Sequence, residues 1–323
     1  MQAPHVGILG AGAFGTALAI ALGQTGRRVS LWSRDPAQVA LIAQTRANAA
    51  RLPGVTLPAS VTPTAVLAEA AEAPILLLAV PTQSLRALAS GFPSALRDRV
   101  LVVCCKGVET GSGLLPTEVL RDVLPGAQVG VLTGPSFAAD IARGKPTALT
   151  LATEDSNGTA LQAALSTPNL RLYLSDDLTG AQWGGALKNV IAIAAGLTIG
   201  ADLGESARAA LMTRGFAEIS RLASQRGAQS ETLWGLSGLG DLVLTCTSEK
   251  SRNFRHGFAI GAGHAPDAMQ TVEGVMTAHA IADSADAGTM PVSSMVSALL
   301  RGRVTLDQAK DLLLSRPLRA ERG

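Results

Sequence analysis

A chain of 323 residues with 27 Lys plus Arg against 25 Asp plus Glu carries a formal net charge of +2. It therefore lacks the strong field that gathers nucleic acid or an anionic membrane surface. Apolar residues make up 47% and aromatic residues only 3%, which predicts close packing of small and aliphatic side chains in a chain long enough for two domains. The three cysteines, Cys104, Cys105 and Cys246, form neither a disulfide framework nor a metal-ligand pattern. With no basic leader ahead of the first strand, the expectation is a cytoplasmic protein without a metal, Cys104 and Cys105 being core thiols.

Val6-Gly7-Ile8-Leu9 reads as a short apolar strand. It runs into Gly10-Ala11-Gly12-Ala13-Phe14-Gly15, and Thr16-Ala17-Leu18-Ala19-Ile20 then reads as a helix. In this G-x-G-x-x-G, Gly10 permits the tight turn and Gly12 admits the backbone to a pyrophosphate. Gly15 lets helix and strand pack closely, and the helix start aims N–H groups at the anion. Dinucleotide binding is the expected use, and a purely structural turn is the alternative.

Apolar runs follow at residues 29–33, 75–80, 100–104, 129–132, 148–151 and 170–173. Continuous rather than alternating runs predict a parallel sheet with helices on both faces. Helices are expected near Pro36, Thr82 and Thr117. In such a doubly wound α/β domain the ligand lies outside the carboxyl ends of the strands. After about Ser175 the pattern changes, and the domain boundary is expected near residue 180. Residues 181–195 and 205–226 read as long helices, with others near 271–287, 292–300 and 306–314. The predicted organisation is a Rossmann-like dinucleotide-binding domain over 1–180 and an all-helical substrate-binding domain over 181–323. The most apolar stretch, 189–199, reads as too short to span a bilayer.

The second strand leads to Arg34-Asp35. An acid there accepts hydrogen bonds from the ribose of NAD, whereas an arginine pairs with the 2′-phosphate of NADP. Arg34 comes first, so NADPH is favoured with NADH open; Asp35, before Pro36, alternatively caps the next helix. The four histidines, His5, His256, His264 and His279, read as surface or packing residues. Lys188 stands among Ala186, Leu187, Val190, Ile191 and Ala192. Such a lysine must snorkel, pair, or lose its proton easily, and the last would suit acid–base chemistry. Gly134-Pro135-Ser136-Phe137-Ala138, after a strand, and Ser248-Glu249-Lys250-Ser251-Arg252-Asn253, before a helix, carry groups that hold a phosphate. A solvated loop is the alternative for the second. A glycine-rich run over 235–240 leads to Asp241, which either caps a helix or orients the lysine.

The motifs are G-A-G-A-F-G-T-A-L-A at 10–19, C-K-G-V-E at 105–109, G-P-S-F-A at 134–138 and A-L-K-N-V at 186–190. G-L-S-G-L-G-D-L at 235–242, S-R-N at 251–253 and V-E-G at 272–274 complete the set. Together and in this order they resemble bacterial NAD(P)-dependent glycerol-3-phosphate dehydrogenases over essentially the whole chain. The resemblance implies that Lys188 transfers the proton. It implies that Lys106, Gly134, Ser136, Lys188, Asp241, Ser251, Arg252 and Asn253 hold the substrate. Beside the three glycines of the turn, it places Ala13, Phe14, Arg34, Lys106, Ala138, Arg252, Thr271 and Glu273 at cofactor positions. Phe14 stands where the family often has Trp or Tyr, and Thr271 where an aliphatic residue is common. The implied activity is reduction of dihydroxyacetone phosphate to sn-glycerol 3-phosphate by NADPH or NADH, in a homodimer that supplies phospholipid synthesis. Two alternatives stay open: a related dehydrogenase of a carboxylate ketone, and a non-catalytic NADPH-sensing module.

Overall fold

The computed structural model describes residues 4–91, 99–154, 156–267 and 272–314. The chain forms two compact units: Met1–Lys106 with Leu115–Gln182, and Gly107–Leu114 with Trp183–Gly323.

One eight-stranded sheet organises the first unit. Its strands are β1 (Val6–Leu9), β2 (Val29–Trp32), β3 (Val61–Thr64), β4 (Ile75–Leu78), β5 (Val100–Val103), β6 (Gln128–Thr133), β7 (Thr147–Thr153) and β8 (Leu170–Ser175). They lie in the order β3-β2-β1-β4-β5-β6-β7-β8. The order reverses between β1 and β4, which opens a crevice at their carboxyl ends. β1 and β4 are buried along their whole length, as strands covered on both faces must be.

The sheet departs from the wholly parallel expectation at one step. β6 and β7 pair antiparallel, with Leu132 opposite Leu151, while every other neighbouring pair is parallel. Apolar runs reveal a strand but not its direction. β3 escaped the apolar pattern because Val61-Thr62-Pro63-Thr64 is half polar. It lies at the sheet edge, where the missing N–H of Pro63 costs least.

Helices α1 (Ala13–Gly23), α2 (Pro36–Thr45), α3 (Leu67–Ala71), α4 (Leu85–Ser90), α5 (Pro116–Val123), α6 (Ala138–Ala142) and α7 (Gly158–Leu165) join the strands. The helix expected at Thr82 is a 3₁₀ turn, Thr82–Ser84, that hands over to α4. α1 is buried from Gly15 to Gly23, which suits a helix whose sequence is apolar all round.

α8 (Leu178–Gly200) leads into the second unit, followed by α9 (Glu205–Gln225), α10 (Ser230–Trp234), α11 (Asp241–Cys246) and α12 (Arg252–Gly261). α13 (Glu273–Ala282), α14 (Pro291–Leu300) and α15 (Leu306–Leu314) complete it. Among the described residues this unit has no strand. At 23 residues α8 exceeds the expected 181–195, and by length and composition it is apolar enough to cross a membrane. Its apolar window is 89% buried within the protein. The helix expected over 271–287 stops at Ala282. Ser284 accepts a hydrogen bond from Asp286 N at 3.2 Å and starts a separate 3₁₀ turn, Ala285–Thr289. The Glu218 carboxylate, buried on α9, accepts from Val292 N at 2.7 Å and satisfies the start of α14.

Candidate active site

In the first unit, the turn from β1 into α1 uses its three glycines differently. Gly10 has φ +124°, and a Cβ there would lie 2.6 Å from the carbonyl oxygen of Ala79. A Cβ on Gly15 would lie 2.0 Å from the carbonyl oxygen of Gly10. Both glycines are packing requirements. A Cβ on Gly12 would meet nothing within 4 Å, yet Gly12 is the N-cap of α1 and no side chain caps that helix. An open backbone at the start of an 11-residue helix is the cradle a pyrophosphate needs, so the residues present fit a dinucleotide. Ala13 and Phe14 form the first residues of α1, partly buried against the core.

At the end of β2 the two readings of Arg34-Asp35 separate. The Asp35 carboxylate accepts from Ala37 N at 2.9 Å and caps α2, while Arg34 is exposed. The acid already has a structural use, and the guanidinium stands at the strand end where this fold class holds the adenosine ribose.

β1, β4, β5 and β6 are parallel, so their carboxyl ends share one edge. Lys106, just beyond β5, donates from Nζ to the Gly134 carbonyl at 3.3 Å. Ser136 Oγ donates to the same carbonyl at 3.3 Å. Gly134 has φ +136°, and Ala138 begins α6. Lys106, Gly134 and Ser136 thus come together around one oxygen.

The second unit holds a buried ion pair. Lys188, on α8, is 6% exposed and Asp241, at the start of α11, is 1% exposed. Lys188 Nζ donates to the Asp241 carboxylate, and to Thr245 Oγ1 at 2.8 Å. Thr245 Oγ1 in turn donates to the Asp241 carbonyl at 2.6 Å. Pairing is therefore the resolution of a lysine on an apolar helix, and the buried charges compensate one another. The glycine-rich run before Asp241 forms a π turn, Leu236–Gly240, that lies against α8. A Cβ on Gly184 would sit 2.7 Å from the Ser237 carbonyl oxygen, and one on Gly238 2.0 Å from that of Leu233. Bulkier residues would hold Asp241 away from the lysine.

Ser251 is the N-cap of α12, its Oγ accepting from Phe254 N at 3.2 Å. From Ser251 onward the polar cluster is therefore a built helix start, while Ser248-Glu249-Lys250 ahead of it form a turn with Glu249 and Lys250 exposed. Arg252, exposed, is the first helical residue. Asn253 Nδ2 donates to Asn189 Oδ1 at 2.9 Å, and Asn253 Oδ1 accepts from Gly274 N at 3.1 Å. This amide ties α12 to the neighbour of Lys188 and to the first turn of α13, which Glu273 begins. Thr271 lies outside the described residues.

Two residues of this cluster, Thr245 and Asn189, carry little in the sequence that points to it. Thr245 follows Asp241 by four residues, the spacing that stacks side chains on one helix face. The histidines lie elsewhere. His5 Nε2 meets Ser30 Oγ and His279 Nδ1 meets Ser297 Oγ, both at 2.9 Å. Burial lowers the proton affinity of His5, His256 and His279, with Arg28 adding to it at His5 and Arg301 at His279. Burial pushes the Cys246 thiol up to about 12 against the pull of Lys188, and it pushes Cys104 up as well. Both thiols are core groups. Among the described residues no group of three or more His, Cys, Asp or Glu side chains is placed to hold a metal.

The family model for the N-terminus of NAD-dependent glycerol-3-phosphate dehydrogenase matches residues 5–159, and that for its C-terminus matches 177–311. Proteins named glycerol-3-phosphate dehydrogenase (NAD(P)+) from Roseobacter denitrificans and Cereibacter sphaeroides are 55% and 57% identical over 319 residues. These alignments cover 98% of this chain and 99% and 100% of theirs. The crystal structure of glycerol-3-phosphate dehydrogenase from Coxiella burnetii is 34% identical with a TM-score of 0.91, covering 97% of this chain and 99% of that one. On sequence, sheet order and helical unit alike, the chain belongs to the NAD-dependent glycerol-3-phosphate dehydrogenase family.

Proposed function

We propose that this protein reduces dihydroxyacetone phosphate to sn-glycerol 3-phosphate, preferring NADPH to NADH, with Lys188 as the proton donor. The observation that carries this reading is the buried Lys188–Asp241–Thr245 cluster, a fixed cation among apolar neighbours. When bound, the nicotinamide dinucleotide supplies a hydride to the ketone carbon. Lys188 Nζ passes a proton to the ketone oxygen as negative charge develops there, and takes one back in the reverse direction. Asp241 balances the ammonium charge and, with Thr245, holds Nζ in place. Proton transfer of this kind contributes typically ~10²–10⁴-fold. Lys106 adds a second positive charge, and such donors are each worth ~10²–10³-fold.

Ser251, Arg252 and the first N–H groups of α12 take the substrate phosphate, where the helix dipole and charge-assisted bonds favour an anion. Asn253, Gly134 and Ser136 complete substrate binding. Gly10, Gly12, Ala13, Phe14, Gly15, Lys106, Ala138, Arg252 and Glu273 take the cofactor, with Arg34 on the 2′-phosphate. Residues 1–180 serve the dinucleotide and 181–323 the substrate. The enzyme works in the cytoplasm as a homodimer and feeds phospholipid synthesis. The helical unit exposes Trp234, Val243 and Met276, apolar side chains of the kind interfaces cover.

Loss of NADPH absorbance tests the reading. Rapid oxidation that requires dihydroxyacetone phosphate, and is slower with NADH, is the expected result. No substrate-dependent oxidation by protein that still binds NADPH would remove the substrate assignment. Preference for NADH would remove the role given to Arg34.

A further inference from the structure

The helix that carries Lys188 and the helix that begins at the phosphate-binding cap meet backbone to backbone. Asn189 bonds Asn253 across a separation of 64 residues. The Ile193 carbonyl faces Gly257 and the Leu197 carbonyl faces Gly261 with that same offset. Contacts that advance together in both helices mean that α8 and α12 run parallel, in a register repeated every fourth residue. The closeness is reciprocal. A Cβ on Gly257 would lie 2.0 Å from the Ile193 oxygen, and one on Gly261 2.3 Å from the Leu197 oxygen. A Cβ on Gly196 would lie 2.0 Å from the Phe254 oxygen, and one on Gly200 2.2 Å from the Phe258 oxygen. A helix carbonyl cannot swing aside as a side chain can. Glycine inside a helix is also unfavourable in itself, so Gly196 and Gly257, both mid-helix, mark a contact with little room for anything larger, and Gly200 and Gly261 end their helices against the facing carbonyls.

A slip of one turn, about 5.4 Å, would break all of these contacts and the Asn189–Asn253 bond together. The proton donor is held from a different element, α11, through Asp241 and Thr245. We propose that the glycine register of α8 and α12 is a specificity determinant that sets the span from Lys188 to the phosphate-binding start of α12. It thereby selects short phosphorylated ketones whose carbonyl and anion are separated by that span. Gly196, Gly200, Gly257 and Gly261 are positioning residues in this account, which rests on the reaction proposed above.

The test compares Gly257→Ala and Gly261→Ala with the unaltered protein, using dihydroxyacetone phosphate and phosphate-free dihydroxyacetone as alternative substrates. Misplacing the anion site by about an ångström should lower kcat/KM for the phosphorylated ketone on the order of 100-fold. Turnover of dihydroxyacetone, expected to be slow without the phosphate, the pH profile of kcat and the NADPH titration should be the same in the variants as in the unaltered protein. Gly261 ends its helix and can yield, so that variant reports even where Gly257→Ala fails to fold. Leu222→Ala, a core truncation on α9, should lower stability without changing the ratio of the two substrates. A ratio that stays constant in both glycine variants overturns the proposal, and so does an equal change in Leu222→Ala. Absence of turnover with dihydroxyacetone phosphate in the unaltered protein would instead defeat the proposed reaction.

Discussion

Lys188 and Asp241 are each nearly out of contact with water, so removing either changes more than one hydrogen bond. Lys188→Ala should lower turnover by ~10²–10⁴-fold while a fluorescence titration shows NADPH binding retained; near-normal turnover would end its assignment as the acid. Asp241→Asn leaves a buried ammonium without its counter-charge. Loss of one partner of such a pair costs about 3–5 kcal/mol, to be read from the urea midpoint, and an unchanged midpoint would show that the pair contributes little. Lys188 was legible in the sequence because a charge among small apolar residues is an anomaly that demands a partner. Thr245 was not, since a threonine in a helix ordinarily bonds the carbonyl four residues back, as this one also does to Asp241. Its second use, as acceptor for Lys188, depends on where two distant helices meet.

At the scale of elements, the turn between β1 and α1 separates folding from binding. Gly15→Ala drives a methyl into the Gly10 carbonyl and should destabilise the unit. Gly12→Ala meets open space, so its stability should stay within about 0.5 kcal/mol while NADPH affinity falls. Calorimetry on both variants checks the contrast, and equal effects on stability would remove the special place given to Gly12. This turn could be read from residues because strand, glycines and helix are contiguous. β3 could not, since two threonines and a proline gave no apolar run and its edge position asked for none. Nor could the direction of β7: pairing is decided by where the connecting chain crosses, and residues 148–151 look alike run either way. Apolar periodicity runs past the end of α13 because Ser284 offers the backbone a local partner that periodicity does not record.

For the molecule as a whole, two buried thiols make stability depend on alkaline pH. The Cys246 thiol moves from its ordinary 9.0 up to about 12, and Cys104 moves in the same direction. Below pH 9 both states keep the proton, so the full contribution is present. Above it only the unfolded chain ionises, and stability should fall by about 1.4 kcal/mol per pH unit for each thiol. Cys246→Ala should lessen that slope in urea titrations between pH 9 and pH 11, and an identical slope would show that burial does not hold the proton there. The antiparallel step between β6 and β7 has a consequence for how the chain can be altered. It turns the end of β7 to the margin of the sheet opposite the one where β1, β5 and β6 present their loops. The carboxyl end of β7 at Thr153 is therefore a place to lengthen the chain with a tag or a fluorescent reporter. Such an insertion should leave kcat and the KM for NADPH where they are, giving a handle on the enzyme that its chemistry does not feel.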